Sequence, residues 1–133
     1  MPLPDPPDRD PQRTDALGIR PPDAFRIEHP PSRRGVSLLV LRGEVDLSAA
    51  ATMRAHVRTV TGAGLVIDLA DVTFLDSSAL RELLFARSHL QERGARLVLA
   101  DVPAAVERLL RLTGTLELFD VAPTRADGLA RFG

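Results

Sequence analysis

Three adjacent hydrogen-bonding side chains, Asp76-Ser77-Ser78, stand between an apolar stretch ending at Leu75 and a segment that turns strongly apolar again from Ala79. At the start of a helix one such side chain has an ordinary task. Its oxygen accepts from free backbone N–H groups, worth about 1 kcal/mol. Capping accounts for one of the three and not for a row. A helix N-terminus also carries partial positive charge and unpaired donors, so a phosphate placed covalently on Ser77 or Ser78 would meet a receptive local field. Asp76, with Glu44 or Asp46 arriving from an earlier loop, would oppose that phosphate. Modification would then alter the surface rather than bury itself.

The remaining reactive inventory is short. The 133 residues include no Cys, and all seventeen basic side chains are Arg. Disulfides, thiolate metal sites and cysteine nucleophiles are thereby excluded, and so is the lysine that a phosphate loop or a Schiff-base enzyme requires. Lys, Asn and Tyr are all missing, which points to a GC-rich coding sequence. Ser77 and Ser78 lack the glycines of a G-x-S-x-G elbow, and of His29, His56 and His89 the last two fall within predicted helices, against a serine hydrolase. The same three histidines offer no ligand pair at helical or hairpin spacing, so neither a metal nor another cofactor is expected. Gly62-Ala63-Gly64 precedes a strand, whereas a dinucleotide fingerprint follows one.

A net charge of -1, with five Phe and no Trp or Tyr, gives neither a basic footprint nor stacking platforms for nucleic acid. The opening Met-Pro-Leu-Pro-Asp-Pro-Pro-Asp lacks the basic start and apolar stretch of a signal peptide, and no apolar run is long enough to span a bilayer. The expectation is a cytoplasmic protein with no membrane role and a single core.

The elements that must position the triplet follow from composition and period. Residues 1–23, crowded with Pro, Asp and Arg, predict a disordered tail, and 24–133 the folded domain. Phe25 and Ile27 alternate with Arg26 and Glu28, and Val36 to Val45 is rich in Val and Leu. With Pro30 to Gly35 as the turn, a hairpin opens the domain. Ser48 is the expected N-cap of a helix that carries Met53, Val57 and Val60 inward and ends near Gly62. Leu65 to Leu69 reads as a short strand, after which the chain turns through Val72, Phe74 and Leu75 to the triplet. The next helix, from about Ser78 to Arg93, sets Ala79, Leu83, Ala86 and Leu90 on one face, with Gly94 as the stop. Arg96 to Ala100 predicts a strand, Pro103 to Gly114 a helix, Leu116 to Val121 a short strand and Thr124 to Arg131 a last helix. Strands alternating with helices behind a hairpin define an α/β fold, a mixed sheet flanked by helices.

Three segments then carry a family resemblance: Gly43-Glu44-Val45-Asp46-Leu47, Leu65-Val66-Ile67-Asp68-Leu69, and Val72-Thr73-Phe74-Leu75-Asp76-Ser77-Ser78-Ala79-Leu80. In order and spacing they resemble the STAS domain of bacterial anti-sigma-factor antagonists. Leu112-Thr113-Gly114, with Leu116 and Phe119, resembles the family's C-terminal part, so the likeness spans roughly Phe25 to Leu129.

The resemblance implies a phosphoacceptor serine at the start of the second long helix, Ser78 first and Ser77 second. It implies a partner bound around that helix end, through Glu44, Asp46, Ser48, Asp76, Ala79, Leu80, Arg81 and Leu84. Leu80 and Leu84, if partly exposed beside Arg81, would form a small apolar seat. The implied partner is an anti-sigma factor with serine kinase activity, captured by the unphosphorylated chain so that the sigma factor is freed. Phosphorylation ends the capture and a serine phosphatase resets it. ATP belongs to the kinase, so this chain is substrate and ligand, not an enzyme. Separately, a compact domain with no long apolar stripe left over predicts a monomer when free. The alternative within the fold is a non-switching STAS subunit of a signalling scaffold or a lipid-transport complex. Ala79 departs from the glycine usual in the family after the two serines; it adds a methyl and favours the helix by about 1 kcal/mol.

Overall fold

The computed structural model describes residues 24–31 and 34–132, and the tail expected over 1–23 lies outside them. Strand β1 (Arg26–Glu28) pairs antiparallel with β2 (Val36–Val45), giving the expected hairpin. Helix α1 (Leu47–Arg58), β3 (Gly64–Leu75), α2 (Ser77–Glu92), β4 (Arg96–Ala100), α3 (Ala104–Leu112), β5 (Asp120–Ala122) and α4 (Arg125–Ala130) follow in chain order. The five strands lie side by side in sequence order, and every pair after the first is parallel.

Alternation along β2 divides the core. Leu39, Leu41 and Val45 face the helical layer, where Met53 and Val57 of α1, Leu83 and Leu90 of α2, and Val106 and Leu110 of α3 close over them. Val36 and Leu38 face the other way, with Val66, Val98, Ala100 and Ala122. Helix α4 covers that second face. It lies close because Gly128 stands over Val66, Ala100 and Val98, where a Cβ would already be 3.1 Å from the Val66 methyl.

Four elements differ in detail from the sequence expectation. The N-cap of α1 is Asp46, with Ser48 already in the helix, and the helix stops at Arg58 with Thr59 as C-cap. Strand β3 does not turn after Asp71 but continues to Leu75, 12 residues in all from Gly64. Its pairing with β2 shifts register twice, between Val40 and Arg42 and between Gly43 and Glu44 of β2. Each shift places one extra β3 residue opposite β2, and such bulges break the period-two alternation that announces a strand. Helix α2 begins one residue early, at Ser77, and Leu116–Leu118 is a 3₁₀ turn ahead of the short β5.

Two ion pairs tie neighbouring elements together. The Arg54 guanidinium of α1 donates from Nε and Nη2 to the two carboxylate oxygens of Glu82 on α2, at 2.9 and 3.1 Å, while lying 4.0 Å over the Phe85 ring. On the opposite face Asp68, 3% exposed in the middle of β3, accepts from Arg125 Nε at 2.7 Å and from the Ala70 amide at 2.9 Å. That pair explains why a carboxylate interrupts the buried first half of β3: it is the buried anchor of α4.

Candidate functional site

The carboxyl ends of β2 and β3 deliver two helix starts to one edge of the molecule, the position where α/β sheets present ligand sites. Each strand runs into an Asp in extended conformation and each Asp caps the helix that follows. Asp46 Oδ1 accepts from the Ser48 amide at 3.0 Å and from the Ser48 hydroxyl at 2.6 Å. The Ser48 hydroxyl, and behind it the amides of Ser48 and Ala49, hold the Asp46 carboxyl below its ordinary value. Asp76 Oδ1 accepts from the Ala79 amide at 2.9 Å, and the Asp76 amide donates to the Val45 carbonyl at 3.2 Å. The two loops are thereby joined by backbone.

With Asp76 as the cap, Ser77 and Ser78 become the first and second residues of α2. The Asp76 carboxylate supplies the side-chain cap without them. Among the described residues neither serine hydroxyl makes a hydrogen bond, Ser77 is exposed and Ser78 half-buried. Two hydroxyls thus stand free in the first turn of a 16-residue helix, where backbone donors are unpaired and the helix dipole is positive.

Around them the surface is mixed. Glu44 and Arg81 are exposed, and the register shift brings Glu44 opposite Phe74, which is 51% exposed at the end of β3. Leu47, at the first position of α1, is 72% exposed. Phe74 and Leu47 are the apolar part of this edge, and sequence reading did not single them out. No periodicity marks them, because one follows a bulge and the other a cap.

The leucine seat expected beside Arg81 is not there. Leu80 is 7% exposed and packs in the main core, and Leu84 is half-buried against it. At i and i+4 the two lie along one side of α2 that packs against the core. Ala79 is fully buried as well, so its methyl fills core space and offers nothing to a partner. Of the eight side chains assigned to partner contact, Glu44, Asp46, Ser48, Asp76 and Arg81 reach the site surface. Ala79 and Leu80 are buried and Leu84 is half-buried.

Comparison with known proteins gives this arrangement a family. The STAS domain model matches residues 30–128, most of the described chain. The chain belongs to the STAS domain family. A STAS-domain containing protein of Pseudomonas aeruginosa is 34% identical over 95 residues, covering 69% of this chain and 94% of that protein. The anti-sigma-B factor antagonist of Bacillus subtilis is 26% identical over 91 residues, covering 67% of this chain and 84% of that one. Among solved structures, an anti-sigma factor antagonist from Mycobacterium paratuberculosis superposes with a TM-score of 0.73 at 28% identity, over 84% of this chain and 96% of the other. The STAS edge that carries Asp76, Ser77 and Ser78 is therefore set on a fold shared with anti-sigma factor antagonists.

Proposed function

We propose that this STAS chain is an anti-sigma factor antagonist in the cytoplasm, and that its switch is phosphorylation at the start of α2, on Ser78 or, failing that, on Ser77. Unphosphorylated, it captures an anti-sigma factor that is also a serine kinase; phosphorylated, it lets go, and a serine phosphatase restores it. The observation that carries this reading is the division of labour in Asp76-Ser77-Ser78: the carboxylate takes the capping bond at 2.9 Å and leaves both hydroxyls free in the first helical turn.

Phosphorylation would convert a neutral hydroxyl into a group of nearly two negative charges beside Asp76 and Asp46. The exposed Phe74 and Leu47 would serve as the apolar anchors of the capture surface, with Glu44, Asp46, Ser48, Asp76 and Arg81 around them. Phosphate at this edge opposes docking by adding charge that a partner's apolar core cannot solvate. The chain contributes no catalytic group of its own; it is a substrate of the kinase and phosphatase and a monomer between encounters.

The deciding experiment is fragment mass spectrometry of the protein after incubation with anti-sigma-type serine kinases and ATP, and of the protein recovered from its own cells. One phosphate on Ser78 or Ser77 supports the switch. No phosphate from any kinase tried, together with stable association in a larger complex, would favour a non-switching STAS subunit of a signalling or lipid-transport assembly.

A further inference from the structure

Two of the chain's three histidines, 27 residues apart in sequence, meet in the fold. His29 follows β1 at the edge of the sheet, His56 lies in the last turn of α1, and their Nδ1 atoms are 3.1 Å apart. The ring centroids are 5.2 Å apart and the rings are inclined at 60°. In the metal-free protein one neutral imidazole donates its Nδ1–H to the bare Nδ1 of the other.

We infer that His29 and His56 form a two-imidazole site for a divalent transition-metal ion, which would replace the shared proton and tie the edge strand to α1. The separation of the donor atoms is the argument. With metal–nitrogen bonds of about 2.0–2.1 Å, two cis ligands stand about 2.9 Å apart at a right angle and about 3.3 Å apart at the tetrahedral angle. The observed 3.1 Å lies between these values, so both rings can ligate without moving apart. The ligands come from different parts of the fold, His56 from α1 and His29 from the segment just after the three-residue edge strand. A metal here would add a cross-link between the end of the short edge strand and α1.

The donor chemistry selects the ion. Imidazole suits zinc, nickel and copper and does not suit magnesium or calcium, which prefer oxygen. Among the described residues no group of three or more His, Asp and Glu side chains converges, so water completes the coordination and the site binds less tightly than a four-ligand one. The chain offers few competitors: it contains no Cys, and its third histidine, His89, is stacked on Phe85.

The test is thermal unfolding of the untagged full chain at neutral pH during titration with nickel or zinc chloride, with isothermal calorimetry for stoichiometry. The expected result is one ion per chain and a Tm raised by about 3–8 °C once the metal is tenfold above its Kd. His29→Gln and His56→Gln should each abolish the rise, His89→Gln should retain it, and magnesium should give none. The increment is read within each variant, so a lowered starting Tm does not obscure it. An unchanged Tm in the parent protein, or a rise that survives when His29→Gln and His56→Gln are combined, overturns the site.

Discussion

The Asp76 amide donates to the Val45 carbonyl at 3.2 Å, and this single bond joins the two loops from which both helix starts of the functional edge depart. Val45 ends β2 opposite Leu75 of β3, so the strands deliver Asp46 and Asp76 side by side. Each carboxylate then closes its own first turn. What one loop presents is therefore not independent of the other.

The serines should separate by function rather than by stability. Ser78→Asp, which supplies part of the phosphate charge, should weaken capture of the anti-sigma partner at least tenfold, whereas Ser78→Ala should retain capture and lose kinase control. Binding measured by calorimetry, with and without kinase and ATP, decides this. Equal affinity for the two variants would refute the switch.

Asp76→Ala should cost about 1 kcal/mol in urea unfolding, because the Ala79 amide loses its acceptor at the first turn of α2. Asp76→Asn and Asp76→Ser should restore most of that loss. If stability is unchanged, one of the freed serine hydroxyls has taken over the cap.

Phe74→Ala should reduce partner affinity about tenfold or more while shifting unfolding stability by less than about 1 kcal/mol, since the ring is half in solvent. An unaltered affinity would place the apolar anchor elsewhere on this edge.

On the far face, Arg125→Ala should destabilise the chain by about 2–4 kcal/mol, because it strands a buried carboxylate at Asp68. Asp68→Asn with Arg125→Ala should recover part of that loss. Chemical denaturation of the two variants reads the difference.

The Asp46 carboxyl, held low chiefly by the Ser48 hydroxyl, should titrate below its usual 3.8 in carbon NMR, and Ser48→Ala should raise it toward that value. The sign follows from the depressed folded pKa: the stabilisation is present above about 3.8 and is lost as pH falls through the lower folded value. An Asp46 titration that ignores Ser48→Ala would mean the backbone amides do the holding.

Much of this was legible in the amino-acid sequence, because it depends on neighbours within a turn or two. The apolar stripe Ala79, Leu83, Ala86, Leu90, the cap-bearing triplet and the hairpin ahead of alternating strands and helices all declare themselves at short range. Even the cap of α2 was anticipated as one of three candidate residues. For α1 the sequence alone favours Ser48, since Asp46 and Ser48 are both good caps, and only the geometry of their mutual bond shows that Asp46 is the one that accepts.

The local pattern determined the α/β class, the order of the elements and the position of two serines at a helix start. The tertiary structure decided the rest, since each remaining feature rests on residues far apart in the chain. The bulges that carry β3 to Leu75 exist only in its pairing with β2, and they leave Phe74 exposed where an apolar run suggests burial. Leu80 sinks into the core because α1 and the sheet close over that side of α2. Asp68 is tolerated within a buried strand because Arg125, 57 residues on, comes back to meet it. His29 and His56 become a pair only when the edge strand is laid against α1. Periodicity reports which side of an element is apolar, but what stands opposite that side is settled by packing.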